Sequence, residues 1–105
     1  MLMSCKQLSR DHIPNAISIT RNSGIRDFRT AKEIAFETAR TKVPEPMLLA
    51  WYEKKTGRFS PPVQCCDEEK PSWLVYAESR GGEVVVDIND LEYVFVFCNS
   101  SLSES

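Results

Sequence analysis

The chain has 105 residues, of which 42% are hydrophobic and 27% are charged, and its formal net charge is −2. This length supports one hydrophobic core and is too short for two ordinary domains, and the composition suggests neither a disordered nor a fibrous chain. The slight negative charge argues against a non-specific attraction to nucleic acids or to anionic membranes. We therefore expect a single domain without a nucleic-acid or membrane partner.

The opening MLMSCKQLSRDH predicts no secretory signal, because a polar residue appears at Ser4 and no apolar run of sufficient length follows. No stretch of the chain reaches the roughly eighteen apolar residues that a bilayer span needs. These observations predict a cytoplasmic protein, whose four cysteines, Cys5, Cys65, Cys66 and Cys98, stay reduced. Cys98 closes an apolar segment and is expected to pack as a small hydrophobe.

The first part of the chain predicts a polar arm, a short strand and a helix. Residues 1–15 are polar and aperiodic, so we expect a mobile or loosely docked arm before the domain, which spans 16–98. The short β-branched stretch at 16–20 predicts an edge strand. A turn, RNSG at 21–24, then leads toward the helix.

The segment 28-FRTAKEIAFETARTK-42 predicts an amphipathic helix, because its apolar residues recur at helical spacing on one arc and its charged residues lie opposite. Two residues compete as the N-cap, Asp27 and Thr30. The Val43-Pro44 step ends the helix, since a residue before proline is pushed out of the α region. Phe36 lies off the apolar arc, as a shoulder contact or as an exposed anchor.

The rest of the chain predicts an antiparallel sheet. We predict strands at 47–54, 73–79, 83–88 and 92–98, a loop without regular structure at 58–72, and a frayed tail at 99–105. The Met, Leu and Ala residues of 47–54 would also suit a short helix. The last three strands are joined by short linkers with glycine or with Asn89-Asp90, which favour tight hairpins. The sequence therefore predicts an α+β fold, with a sheet of four to five strands and one main helix packed on one face.

The predicted sheet is apolar on both faces. On the strand 92–98, the side chains that point to one face and those that point to the other are apolar, and the three valines at 84–86 also lie on both faces. Four strands are about 19 Å wide, whereas one helix is about 10 Å across. The single helix therefore covers about half of one face. The segment 43–72, the N-terminal arm or another copy of the chain must cover the rest, and we expect a second subunit, which predicts a homodimer.

Few residues predict catalysis or metal binding. Cys65 and Cys66 are adjacent and lack the spacing that lets two thiols reach one zinc ion, so we expect no metal site and no cofactor there. The stretch 87–90 resembles a calcium loop but lacks its glycine and its last glutamate, and a hairpin corner explains it better. The single histidine, His12, leaves little from which to build a nucleophilic site. Catalytic residues therefore stay unassigned, and an enzyme is not indicated.

Aromatic residues are the best candidates for a binding site. The side chains of Trp51, Tyr52, Trp73 and Tyr76 combine apolar bodies with polar tips, which suits the rim of a small-ligand pocket. Arg80 crowns a glycine turn and is a candidate anion contact. The competing interpretation is that these aromatic residues pack the core. A nucleic-acid site built on the nearby cations is disfavoured by the net charge.

Three stretches carry a resemblance to a known family, namely TAKEIAFETA, MLLAWYEKKTGRFSP and PSWLVYAESRGGEVVVDINDLEYVFVF. Over about 16–98, the chain resembles a family of small uncharacterised prokaryotic proteins that is known as a domain of unknown function. The resemblance implies an α+β domain from a bacterial or archaeal cytoplasm. It implies no activity and no functional residues.

Together these observations predict a small binding or interaction module that acts as a homodimer. The alternative is a small enzyme or ligand-sensing domain, which uses the aromatic rim and the loop at 58–72.

Overall fold

The computed structural model describes residues 8–21, 27–62 and 71–99, and these form one five-stranded sheet with two α-helices packed on it. In chain order the elements are a 3₁₀ turn (Arg10–His12), β1 (Ile17–Ile19), α1 (Phe28–Arg40), β2 (Pro46–Glu53), β3 (Arg58–Ser60), α2 (Ser72–Ser79), β4 (Val84–Ile88) and β5 (Tyr93–Asn99). The predicted α+β fold is confirmed. No described helix is long and apolar enough to cross a membrane. The start of the predicted arm, most of the turn at 21–24, much of the 58–72 loop with Cys65 and Cys66, and most of the tail lie outside the described residues.

The strand order is β1-β4-β5-β2-β3. The four strands from β4 to β3 pair antiparallel with their neighbours, and β1 pairs parallel with β4, which makes the sheet mixed. The strands predicted at 47–54, 83–88 and 92–98 are confirmed as β2, β4 and β5. The edge strand predicted at 16–20 is confirmed as β1.

Helix α1 confirms the helix predicted at 28–42 and ends two residues earlier. Asp27 is the N-cap, since its carboxylate accepts a hydrogen bond from the Thr30 backbone N–H at 3.0 Å. The side that faces the sheet carries alanines with no exposed surface, at positions 31, 35 and 39. These small side chains let the helix lie close to the sheet. The ring of Phe36 meets Phe97 edge-on at 4.8 Å, so Phe36 is a shoulder contact of the core.

The strand predicted at 73–79 is wrong, because these residues form α2. Trp73, Leu74 and Ala77 are buried at positions i, i+1 and i+4, which is one face of a helix. A short apolar run has no clear period, so its sequence does not separate a buried strand from a buried helix. The hairpin predicted between 73–79 and 83–88 is therefore wrong as well.

The prediction that 58–72 lacks regular structure is wrong at its start, where β3 forms a hairpin with β2. Tyr52 lies opposite Phe59, and Glu53 lies opposite Arg58. Pro61 and Pro62 follow β3, and proline cannot continue a ladder because it has no backbone N–H.

The predicted two-sided sheet is confirmed by one core on each face. The α1-side core contains Ala31, Ala35, Ala39, Val43, Val84, Val86, Ile88, Tyr93, Phe95 and Phe97. The α2-side core contains Ile13, Ala50, Trp73, Leu74, Ala77, Val94 and Val96. The second face is thus covered by α2 and by residues near Ile13, where we expected a second subunit. The homodimer stays a prediction, but the need to cover this face no longer supports it.

Two adjacent glycines end α2 for different physical reasons. Gly81 has a φ of 87°, in the left-handed region, and a Cβ added there would meet nothing within 4 Å. At Gly82, an added Cβ would lie 2.7 Å from Cγ1 of Val96 and 2.9 Å from the carbonyl oxygen of Ala77. The first position needs a backbone conformation, and the second needs room between α2 and β5.

We therefore predict that Gly82→Ala lowers the free energy of unfolding more than Gly81→Ala does. The added methyl at position 82 overpacks the joint between α2 and β5, at a cost of about 1–3 kcal/mol. The change at position 81 costs about 1 kcal/mol, through its left-handed backbone. Urea unfolding of the two variants checks this order. Gly57 also has a positive φ, of 75°, and an added Cβ there would meet nothing within 4 Å, so Gly57→Ala is the control for Gly81→Ala. Equal unfolding midpoints for the two variants would contradict the steric argument.

Candidate functional site

The structure divides the predicted aromatic rim between the two faces of the sheet. Trp51 packs on the α1-side core, with its ring centroid 4.5 Å from that of Phe28. Tyr52 and Trp73 lie on the other face, where their rings stack almost parallel, with an interplanar angle of 6° and 5.5 Å between the ring centroids. Trp73 is only 2% exposed. Trp51 and Trp73 therefore belong to two different cores, and a single pocket does not contain both.

Tyr76 and Arg80 form a separate pair along α2. The guanidinium carbon of Arg80 lies 4.7 Å from the centroid of the Tyr76 ring, which is a cation–π contact. Arg80 is also the C-cap of α2, where a positive charge is favoured by the helix dipole. This geometry accounts for Arg80 locally, and its role as an anion contact stays a prediction.

The most distinctive polar site among the described residues is a network that we call the corner network, made of Arg10, Ser18, Asp87 and Asp90. Asp87 has no exposed surface and lies in β4, beside Ser18 of β1. Arg10 donates one hydrogen bond to Asp87 Oδ2 and another to Asp90 Oδ1, each at 2.7 Å. Ser18 Oγ donates to Asp87 Oδ2 at 3.0 Å, and the Leu91 backbone N–H donates to Asp87 Oδ1 at 2.8 Å.

The chain beside this network is held in an uncommon conformation. Asn89, Asp90 and Leu91 have φ values of 54°, 57° and 72°, so three consecutive residues other than glycine are left-handed. Asparagine and aspartate tolerate this region, whereas leucine rarely adopts it. The Leu91 N–H reaches Asp87 in this conformation, and we infer that the buried carboxylate stabilises the corner. The hairpin corner predicted at Asn89-Asp90 is confirmed.

Both oxygens of Asp87 are occupied by donors, so the carboxylate holds structure and is not presented to a substrate. The two carboxylates raise the pKa of Arg10, first through the hydrogen bond to Asp90 and then through the one to Asp87. Sequence reasoning missed this network. Its signal was the single carboxylate inside the strand VVVDI, which needs a cationic or hydrogen-bonding partner once it is buried.

A second electrostatic feature surrounds Tyr93 at the start of β5. Burial is the main cause that raises its pKa above the usual value near 10, and the negative charges of Glu53, Glu92 and Asp27 raise it further. The Nζ atom of Lys55 lies 3.9 Å from Oε2 of Glu92. Because neighbouring carboxylates oppose ionisation, Tyr93 is held in its neutral form and is not an activated base.

The long strand β2 has an edge that is only partly paired. β3 pairs with residues 51–53, and no other described strand pairs with the outer edge of residues 46–50, which we call the open β2 edge. This stretch, PMLLA, has no charge. Met47 is 45% exposed, and it is the exposed large hydrophobic residue of the described structure.

Two further features of the described residues point to no particular ligand. A groove of about 370 Å³ runs along the outer face of α1, lined by Arg29, Lys32, Glu33, Phe36, Glu37 and Arg40. Its charges have both signs, so it favours no particular ligand charge. Within the described ranges, no group of three or more histidine, cysteine, aspartate or glutamate residues is placed to hold a metal ion. Cys98 is a free thiol and is buried, as predicted.

The corner network gives the first testable prediction of this region. Asp87→Asn removes the buried charge that faces Arg10, and we expect it to lower the free energy of unfolding by about 1–3 kcal/mol. Asp90→Asn is the matched control, because Asp90 is 88% exposed and the loss of an exposed ion pair has little effect. Chemical denaturation measures both. Equal effects of the two substitutions would contradict a special role of the buried carboxylate.

Tyr93 gives a prediction about alkaline pH. A folded-state pKa above the unfolded value contributes stability that is fully present below about pH 10. This contribution is lost as the pH rises through the folded pKa. We therefore expect the wild-type chain to lose stability above pH 10 relative to Tyr93→Phe, which cannot ionise there. Urea unfolding of both chains at neutral and at strongly alkaline pH measures the difference, and parallel stability curves would contradict the prediction.

Comparisons with known proteins agree with this fold and assign no activity. An uncharacterized protein of Archaeoglobus fulgidus is 40% identical over 67 residues, which span 64% of this chain and 66% of that relative's length. The crystal structure of protein AF1514 from the same species superposes with a TM-score of 0.66 and 28% identity, over 78% of this chain and 89% of that one. The family model described as a domain of unknown function (DUF5619) matches residues 14–97, close to the 16–98 expected from the resemblance. The chain belongs to the DUF5619 family.

Proposed function

We propose that the protein is an interaction module that acts as a homodimer, and that its contact surface is the open β2 edge. One observation carries the proposal, namely the five-residue uncharged stretch PMLLA, whose outer edge no described strand pairs and where Met47 is 45% exposed. Sheets in proteins normally protect such edges with charges, with covering segments or by being short. Among the described residues, no charged side chain and no further strand covers this edge, so Pro46 and the register shift between Leu48 and Ala50 are its protective features. An apolar edge with so little protection is suited to binding another strand.

The same edge of a second copy fits this surface. In a two-fold arrangement centred near Leu48, residues 46–50 of the two copies would run antiparallel, with Met47 of each copy opposite Leu49 of the other. The register shift between Leu48 and Ala50 would shorten the regularly paired part of this stretch. Met47 precedes Leu48, which packs on the α1-side core, so by alternation Met47 points to the α2 side, where Leu49 also packs. The pairing would therefore bury the exposed methionine against a leucine.

The size of this edge limits the strength of the dimer. A strand of five residues is about 17 Å long and a sheet about 10 Å thick, so the edge presents on the order of 200 Å². A standard interface buries roughly 800 Å² per partner. We therefore expect a weak and reversible dimer, and the relevant measurement is the dependence of mass on concentration.

A ligand-sensing domain or small enzyme is the weaker proposal. This proposal requires the four aromatic residues of the rim to line one pocket. Trp51 and Trp73, however, lie in cores on opposite faces of the sheet, and Trp73 is almost fully buried. Tyr52, Tyr76 and Arg80 remain partly or fully exposed. Of the two proposals, the homodimer rests on the more specific surface.

The test is sedimentation equilibrium from low micromolar to millimolar concentration. We expect the wild-type mass to rise from 12.0 kDa toward twice that value. Met47→Lys places a charge in the apolar contact, and we expect it to weaken the dimer at least about tenfold. Thr20→Lys adds the same charge at an exposed position just after β1, on the opposite edge strand, and should leave the dimer unchanged.

Two results would contradict the proposal. The first is a mass that stays at the monomer value over the whole concentration range. The second is a dimer that Met47→Lys and Thr20→Lys weaken equally, because this would place the contact away from the open β2 edge.

A further inference from the structure

Residues 8–16 cross the α2-side face of the sheet and are attached to it in few places; we call them the N-terminal strap. Ile13 is 4% exposed and belongs to the α2-side core, while Leu8 and Ala16 pack at the edge of that core. The strap ends where β1 begins to pair with β4. It supplies the part of the second cover that α2 does not provide.

The backbone hydrogen bonds of the strap stay within it. His12 N–H donates to Ser9 O, Ile13 N–H to Arg10 O, and Ala16 N–H to Ile13 O. No backbone hydrogen bond joins the strap to another described part of the chain. The described polar ties to the rest of the fold all come from one side chain, Arg10, which donates to Ser18, Asp87 and Asp90.

The contacts of Asp87 make an open form of the strap physically accessible. Without Arg10, the buried carboxylate still accepts hydrogen bonds from Ser18 Oγ and from the Leu91 N–H. It is therefore not left without donors, which would be the costly outcome for a buried charge. Segments with few buried contacts and no backbone ties open at lower free energy than the core does.

We propose that the N-terminal strap opens and closes as a unit over an otherwise folded domain, and that Arg10 is the latch that holds it closed. Opening withdraws Ile13 from the α2-side core, whose edge includes Val85 and Leu91. Access to this side of β4 and β5 is then controlled by one guanidinium group that is 47% exposed and can be reached from solvent. This device is independent of the open β2 edge.

The test compares the accessibility of two thiols in one molecule. Ile13→Cys is made in a chain whose Cys5, Cys65 and Cys66 are changed to serine, so that the only other thiol is the native Cys98. Cys98 is 6% exposed in β5 and reports opening of the whole domain. Labelling with a chromogenic disulfide reagent then gives one rate for the strap and one for the sheet.

We expect the thiol introduced by Ile13→Cys to react at least about tenfold faster than Cys98. Adding Arg10→Ala should accelerate the strap thiol about tenfold further and keep it faster than Cys98, whose own rate rises by no more than the same factor because the latch stabilises the closed fold against unfolding as well. Adding Asp90→Asn, which keeps the bond from Arg10 to Asp87, should accelerate it much less. Deuterium uptake by the strap amides, with Ile13 and all native cysteines in place, repeats the comparison if Ile13→Cys fails to fold.

The proposal is overturned if both thiols react at the same rate in every variant, because the strap then opens only when the whole domain unfolds. It is also overturned if Arg10→Ala leaves the strap rate unchanged, since Arg10 is then not the latch. In the deuterium-exchange experiment, the proposal is overturned if the strap amides exchange no faster than those of β5, because the strap then opens only with the whole domain.

Discussion

The fold depends on one requirement, which is that a sheet with apolar side chains on both faces must be covered on both. Phe95 and Phe97 of the central strand β5 face α1, and Val94 and Val96 face α2. The alanines of α1 bring one cover close to the sheet. On the other face, Gly82 leaves room for α2 against Val96, and Ile13 extends the cover beyond the helix.

One polar residue interrupts this apolar interior, and its partners shape the corner of the sheet. Asp87 lies within β4 and is buried, so it requires hydrogen-bond donors. It recruits a cation from the N-terminal strap and a backbone N–H from the left-handed corner. The same carboxylate therefore fastens a loosely tied segment and supports an unusual turn. The open β2 edge lies on the opposite side of β5 from this corner, so association at the edge and movement of the strap are physically separate.

The sequence by itself determined the features that arise from local periodicity and local chemistry. The period of α1, its candidate cap Asp27, and the apolar strands β2, β4 and β5 were all predicted, because each pattern repeats over enough residues to be distinct. The two-sided character of the sheet followed from the same alternation in β5. The family resemblance supported this α+β fold, and it carried no functional residue.

The tertiary structure decided what short or isolated signals left undetermined. The apolar run at 73–79 has no clear period, and it forms a helix because the opposite face of the sheet needed a cover of that shape. β3 exists because β2 offers an edge for residues 58–60 to pair with. The division of the predicted aromatic rim, and the meeting of Arg10 with Asp87 across 77 positions, depend on which segments pack together in three dimensions. Contacts of this kind are set by the packing of residues that are distant in the sequence, so no local pattern in the sequence predicts them.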